Sequence, residues 1–423
     1  MAFQYEKRVL DAQLDALSLP AIIVEGAKAV GKTRTLERRT KTTYRLDDPR
    51  VLELIEADPQ RMVSGEKPIL IDECQRYVHT VDVVRRSVDD NYEPNQFFLA
   101  GSASRGGDTH TGGGRIASLR LRPMSFAERG LQDPTVSLTN LLEDRKAPIQ
   151  GETGIGLEIY TEEILRSGFP GIRQLSGLNL ETQLASYTDR IVQRDVADET
   201  GRVVRRPDTL RRWMQAYAAA SSTVTSLERI RDAANGGSDQ KPNQQTVLAY
   251  RDALEKLWII DDVPPWIPSA NHFGRLILTP KRQLVDPALA ASLLGVTRDK
   301  LLSVEWVDPV VPRDGSFLGA LFESLATLSV RVYAESIGAT VRHLRQRDGR
   351  HEIDLIVERR DGAVLAIEVK LGTAPDGKDL AHLHWLKETI GSKLLDAICV
   401  CTAPYAYRRT DGIGVIPLAL LGP

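Results

Sequence analysis

Gly26-Ala27-Lys28-Ala29-Val30-Gly31-Lys32-Thr33 has the residue types and spacing of a phosphate-binding loop, G-x-x-x-x-G-K-[ST]. The glycines let the backbone turn so that successive N–H groups face a polyphosphate. A helix that starts there adds partial positive charge. Lys32 would reach the β- and γ-phosphates and Thr33 would hold Mg²⁺. With Arg34 following directly, residues 26–34 are the expected ATP-binding stretch. A second run, Pro68-Ile69-Leu70-Ile71-Asp72-Glu73, is an apolar strand that ends on two carboxylates. Asp72 suits orientation of Mg²⁺ through water, and Glu73 suits a general base on the attacking water. Ser102 closes the next strand, Gln96–Ala100, where it can contact the γ-phosphate or that water. Arg115 precedes a short strand, Ala117–Arg122, that carries Arg120 and Arg122 on one face, and one of these arginines is a candidate for stabilising γ-phosphate charge, in cis or in trans.

A second constellation lies in the last third. Glu323 sits near the start of an amphipathic helix, Leu318–Tyr333. Asp354 lies between apolar neighbours in a strand, His351–Val357, and Asp361-Gly362 is a hairpin-type turn. Glu368 and Lys370 are two apart in the strand Leu365–Lys370, hence on one face. Helix, meander and Glu-x-Lys spell the PD-(D/E)xK nuclease core. In that reading Asp354 and Glu368 hold a second divalent metal, Lys370 positions or activates water, and Glu323 is a further ligand or orienter. The alternative is a paired cluster on a sheet face, holding the domain together without chemistry. Arg342, Arg345, Arg347 and Arg350, with His343 and His351 among them, make a local basic stretch suited to DNA phosphates.

The elements that must position these groups alternate. An apolar run, Ala21–Val24, leads into the loop, and strands at 43–46, 68–73 and 96–100 are separated by helical stretches. That alternation argues for a parallel α/β sheet. Gly101–Gly114, with Arg105 and His110, reads as a loop, and Pro123–Glu128 opens a helix. Residues 130–157 are polar and broken by Pro and Gly, which places the end of the nucleotide domain there. Helices follow at 158–195 with a break at Gly168–Gly171, then at 210–217, 224–234 and 244–257, with a strand at Trp258–Ile260. Short helix, turn, helix, strand resembles a winged helix, with Thr246, Tyr250 and Arg251 on the exposed face of its second helix. Gly274–Thr279 and Gln283–Val285 read as strands. The expected division is therefore 1–130 for a P-loop ATPase, 131–157 for a linker, 158–270 for a helical, winged-helix-like part and 271–423 for a nuclease-like α/β domain.

Composition bounds the rest. The chain has 423 residues, 42% hydrophobic and 26% charged, with formal net charge −2. Global basicity therefore gives no case for nucleic acid, and any such surface must be local. Three cysteines, Cys74, Cys399 and Cys401, show no metal-type pairing and suit a reducing cytosol. No apolar run reads as a membrane span, so a cytoplasmic protein is expected.

These motifs together resemble the bacterial and archaeal AAA-type ATPases that carry a C-terminal domain of unknown function. The resemblance rests on Gly26–Thr33, Leu70–Glu73, Leu99–Ser102, Pro123–Phe126, Gly168-Phe169-Pro170, Arg194-Asp195, Leu318–Glu323, Glu352-Ile353-Asp354 and Glu368-Val369-Lys370. It departs where the family's loop usually has Pro-Arg and this one has Ala27-Lys28. The family's Ala-Gly-Arg is matched by Gly113-Gly114-Arg115, which makes Arg115 the counterpart of the family's arginine. The resemblance implies ATP and Mg²⁺, slow hydrolysis, a winged-helix middle and a nuclease-like end. Three readings follow: an ATPase, alone or as an oligomer, that drives DNA-contacting or protein-binding modules; an ATP-gated metal-dependent DNA nuclease; and a non-catalytic nucleotide-dependent protein-binding switch.

Overall fold

In a computed structural model of the chain, residues 5–102, 113–145, 147–201, 204, 206–235, 243–268, 278–303, 317–346 and 349–423 are described. Five short runs build the first sheet: β1 (Ala21–Glu25), β2 (Thr42–Arg45), β3 (Ile69–Asp72), β4 (Phe97–Gly101) and β5 (Ile116–Arg120). All are parallel, in the order β2-β3-β4-β1-β5. Successive side chains of a strand point to opposite faces, and here they sort into two cores. Ile22, Val24, Leu70, Phe98 and Ala100 join Leu10, Leu14 and Leu36 on one face. Ala21, Ile69, Ile71, Phe97 and Leu99 join Ile55, Val84 and Val88 on the other. Cover on both faces explains why the central strands are continuously apolar.

The middle of the chain is helical. Helices Leu157–Arg166, Pro170–Arg173 and Gly177–Arg190 lead into a π-helical turn, Ile191–Asp195, and then Val196–Thr200. Pro207–Ala219, Leu227–Ala233 and Gln244–Lys256 follow. The expected strand after the last of these is a pair of isolated antiparallel bridges, Ile260 to Leu284 and Val263 to Lys281. The strand expected at Gly274–Thr279 falls mostly outside the described residues, as do Arg105, His110 and Arg347.

The second sheet is mixed. Helix Phe317–Ser336 precedes β8 (Thr340–Arg345), β9 (Glu352–Glu358) and β10 (Val364–Val369), which are antiparallel neighbours. Helix Ala381–Ile390 then leads to β11 (Leu394–Cys401), parallel to β10. β12 (Tyr405–Arg408) and β13 (Gly414–Pro417) extend the sheet beyond β11. Helix Phe317–Ser336 is long and apolar enough to cross a membrane by length and composition, but 72% of its most apolar window is buried inside the protein. It is a core helix: Ser329 Oγ and Tyr333 OH accept from the N–H groups of Phe126 and Ala127, both at 3.0 Å.

Residues 131–157 are not a tether. β6 (Val136–Ser137) pairs with β14 (Leu421–Gly422), β7 (Gly151–Glu152) pairs with β12, and Leu138–Glu143 is a helix against the second sheet. Val136, Leu138, Leu141 and Leu142 are buried. The Pro and Gly residues here separate short packed elements rather than expose a linker. Pro123–Glu128, expected to open a helix, leads only into a 3₁₀ turn at Ala127–Arg129. One apolar core runs from Val24 through Trp213 and Leu289 to Phe322 and Leu421, so the first sheet, the helices and the second sheet share a boundary.

Candidate functional site

The first sheet brings the loop, the acidic pair and Ser102 to one edge. β4 lies between β1 and β3, so the end of β4 separates the loop after β1 from the carboxylates after β3. Gly26 cannot be another residue: at φ +155°, an added Cβ would stand 2.2 Å from the Leu121 carbonyl oxygen. Gly31 adopts φ +107° and begins the helix Lys32–Glu37. Lys32 Nζ donates to the carbonyls of Gly26 and Ala27, at 2.8 and 2.9 Å. Burial pushes its ammonium down to about 8, against the nearby charges of Glu73 and Asp72. Thr33 Oγ1 donates to both Asp72 carboxylate oxygens, at 2.9 and 3.0 Å. Burial raises the Asp72 carboxyl above the usual range, and the Thr33 hydrogen bond opposes that rise. A hydroxyl and a carboxylate in contact beside a phosphate loop fit Mg²⁺, which takes few protein ligands and keeps waters and substrate oxygens.

Glu73 takes a left-handed backbone, φ 51°. Its Oε2 accepts from Gln75 Nε2 at 2.5 Å and from Ser102 Oγ at 3.3 Å, while Gln75 Nε2 also reaches Ser102 Oγ at 2.9 Å. The carboxylate is thus held in place by two side chains at two strand ends. A cleft of about 630 Å³ opens over the loop, walled by Tyr5 and Arg8 on one side and Pro170 and Gln174 on the other. Its size is that of a small-ligand site. Arg34 lines the same cleft. Lys28 turns away toward the helical middle, where its Nζ meets Asp195 Oδ1 at 2.5 Å.

The arginine candidates are placed elsewhere. β1 and β5 run in register from Ala21 beside Ile116 to Glu25 beside Arg120. Arg115 therefore sits at the far edge of the sheet from its own loop, roughly 16 Å away by strand rise. There it pairs with Asp89 at 2.7 Å. Arg120 and Arg122 are buried against Asp261, at 3.0 and 2.7 Å, with Arg331 on the same carboxylate and Glu335 on Arg122. Burial lowers Arg120 to about 9, aided by the like charge of Arg122 and resisted by Asp261. These arginines join the first sheet to the helices and are not free to meet a phosphate.

The C-terminal cluster assembles, but around a cation of the protein's own. Lys281 Nζ lies 2.8 Å from Glu323 Oε1 and 2.9 Å from Asp354 Oδ1, with Glu352 at 3.9 Å. Its side chain is 1% exposed. Asp354 Oδ2 also accepts from the Val369 N–H at 2.9 Å. Burial alone would raise the Asp354 carboxyl, but the Lys281 ammonium holds it well below its usual range. Burial and the Asp354 charge push Glu368 well above its range, and burial pushes Glu323 up to about 8. Lys370 Nζ approaches Glu368 Oε2 at 3.6 Å. Among the described residues, no group of three or more His, Cys, Asp or Glu converges to hold a metal ion. Glu323 and Asp354, expected at a second metal site, are engaged here by Lys281, a residue that sequence reasoning missed.

Among the described residues of the expected nucleic-acid surfaces, several are engaged within the chain. Arg342 pairs with Glu358 at 3.2 Å and Arg345 with Glu352 at 3.0 Å, while His343 is buried. Burial and the Lys281 charge drop the His343 imidazole to about 3, so it adds no positive charge at neutral pH. His351 stacks on Trp385, with ring centroids 4.0 Å apart. On Gln244–Lys256, Tyr250 leans on Trp213 and Arg251 pairs with Glu255 at 2.5 Å.

Sequence reasoning also missed Gln75 and Arg8, and gave Asp195 no role. Arg8 is buried, pairs with Glu128 at 3.2 Å and donates to the Val30 carbonyl at 3.1 Å, bracing the loop from behind. None carries a local motif; only Arg194-Asp195 was singled out, as a resemblance.

Comparison with known proteins agrees with the first sheet and is silent on chemistry elsewhere. Residues 157–300 match a domain of unknown function (DUF8612), and residues 318–421 match another (DUF4143). No curated protein matches the chain. Among solved structures, a chain of Drosophila ORC bound to DNA overlaps at 13% identity and TM-score 0.18, covering 68% of this chain and 84% of that one. An overlap that shallow carries no argument. Residues 18–130 match the family model described as an AAA domain, which supports an AAA-type P-loop fold for this segment.

Proposed function

We propose that the chain binds ATP with Mg²⁺ over the loop 26–34 and hydrolyses it to ADP and phosphate. The observation that carries this reading is the convergence of Lys32, Thr33, Asp72, Glu73 and Ser102 at one sheet edge, under a cleft of nucleotide size. Lys32 exchanges its two loop carbonyls for β- and γ-phosphate oxygens. Thr33 and Asp72 would hold Mg²⁺, which would supply charge neutralisation for the phosphates. Glu73 takes the proton of the attacking water, and Gln75 and Ser102 aim its carboxylate. Hydrolysis then acts on the helical middle and the second sheet, which share a core with the AAA segment. Arg115 is exposed enough, at 46%, to serve a neighbouring copy's site and not its own. The ion network around Lys281 favours a structural role for the acidic cluster over a nuclease site.

The depressed Lys32 ammonium supplies a test. In the free protein it titrates at about 8, and bound phosphates would raise it again. Binding then takes up a proton above pH 8, so affinity is full below that pH and falls as pH rises through it, by up to about tenfold per unit. ATP titrations between pH 6.5 and 9.5, at saturating Mg²⁺, should show a flat limb and then a decline. Affinity that rises with pH across the range would contradict the role given to Lys32.

A further inference from the structure

The loop residue Lys28 is gripped at two points by one helical element of the middle segment. Its ammonium meets Asp195 Oδ1 at 2.5 Å, and its carbonyl accepts from Tyr187 OH at 3.0 Å. Tyr187 belongs to helix Gly177–Arg190 and Asp195 to the π-helical turn that continues it. A π turn inside a helix is an uncommon, register-breaking insertion that recurs at functional sites. Tyr187 also packs on Phe169, with centroids 5.0 Å apart, and Pro170 lies against Gly31 at the far end of the loop.

The two partners differ in freedom. The Asp195 side chain is 9% exposed, whereas that of Lys28 is 38% exposed. Asp195 is therefore fixed, and the lysine, on its flexible stem, is the member that can move. The loop's other lysine, Lys32, points at the loop's own carbonyls.

We propose that Asp195 is a positioning residue that competes with nucleotide phosphate for the ammonium of Lys28, so that ATP binding releases the π-helical turn from the loop. The inference rests on the ATP reading above. The residues lining the cleft over the loop include Ala29, Gly31 and Lys32 but not Lys28, so its ammonium must leave Asp195 to reach a phosphate held there. Whatever free energy the Asp195 contact contributes is thus subtracted from ATP binding. By linkage, ATP weakens the hold of the loop on residues 187–200 to the same extent. This gives the middle segment a direct reading of the nucleotide state.

A bridge that merely braced the loop predicts the opposite sign, because its loss would loosen the phosphate cradle and weaken ATP binding. The test is ATP titration, with Mg²⁺, of the full chain and of Asp195→Asn, Asp195→Glu, Lys28→Met and the Asp195→Asn/Lys28→Met pair. We expect Asp195→Asn to bind ATP about fivefold more tightly, the low end of ordinary coupling. Asp195→Glu should return affinity toward native, and Asp195→Asn should have no effect once Lys28 is Met. Amide hydrogen exchange at 187–200 should rise on adding ATP to the native chain and be insensitive to ATP in Asp195→Asn. Unchanged or weaker ATP binding by a folded Asp195→Asn chain, with native binding intact, overturns the inference alone. Absence of ATP binding by the native chain overturns the proposed function and this inference with it.

Discussion

Glu73→Gln is expected to leave ATP binding within a few fold of native and to slow turnover by about a hundredfold or more, the contribution of a positioned general base. The geometry makes the substitution nearly isosteric. Glu73 Oε2 accepts from Gln75 Nε2 and Ser102 Oγ, and an amide oxygen can accept the same two bonds. What is lost is the capacity to take a proton from water. Neither Lys32 nor the Thr33–Asp72 pair makes a hydrogen bond to Glu73 through its side chain, so phosphate and Mg²⁺ binding should survive. Single-turnover phosphate release alongside an ATP titration separates the two effects. A parallel loss of affinity and turnover would show that Glu73 holds the nucleotide rather than acts on water.

Lys281→Ala is expected to destabilise the chain by about 3–5 kcal/mol, the usual cost of removing one partner from a buried ion network. Glu323 and Asp354 would lose their 2.8 and 2.9 Å partner while remaining largely buried. The Asp354 carboxyl, now held low chiefly by that ammonium against burial, would titrate upward. Denaturant unfolding of native and Lys281→Ala chains measures the loss. A further Asp354→Asn change should recover part of it, because it removes a charge that no longer has a counter-ion. A Lys281→Ala chain as stable as native, gaining stability on addition of Mn²⁺, would instead show that the cluster is a metal site.

These two expectations differ in how far they were visible in the sequence. Glu73 was readable because its signal is contiguous: an apolar strand, two carboxylates and a glycine loop about 40 residues earlier. The central strands β1, β3 and β4 were readable for the same reason, since each is a short apolar run with both faces covered, whereas β2 and β5 are more polar and partly exposed. Lys281 was not, because Pro280-Lys281-Arg282 carries no motif and lies between two expected strands. Its burial depends on Glu323 and Asp354, 42 and 73 residues away. Asp195 is likewise 167 residues from Lys28. Arg120 ends β5 and Arg122 lies two residues beyond it, so the expected strand runs too far; their shared partner Asp261 has no sequence signal, and it changes their use from phosphate contact to interdomain pairing. Arg115 shows a different limit. Its position in the chain suggested proximity to the γ-phosphate, while the strand direction puts it at the opposite sheet edge. Residues 131–157 misled through composition: Pro and Gly punctuate packed elements as readily as they loosen a linker.

The central claim is that the edge carrying Lys32, Thr33, Asp72 and Glu73 hydrolyses ATP. Its most direct measurement is phosphate release from ATP by the purified full chain, with Mg²⁺ and with chelator, beside a folded Lys32→Ala chain. The account predicts release that requires Mg²⁺ and that Lys32→Ala abolishes. Release at the native rate by Lys32→Ala, or by the native chain in chelator, would contradict it.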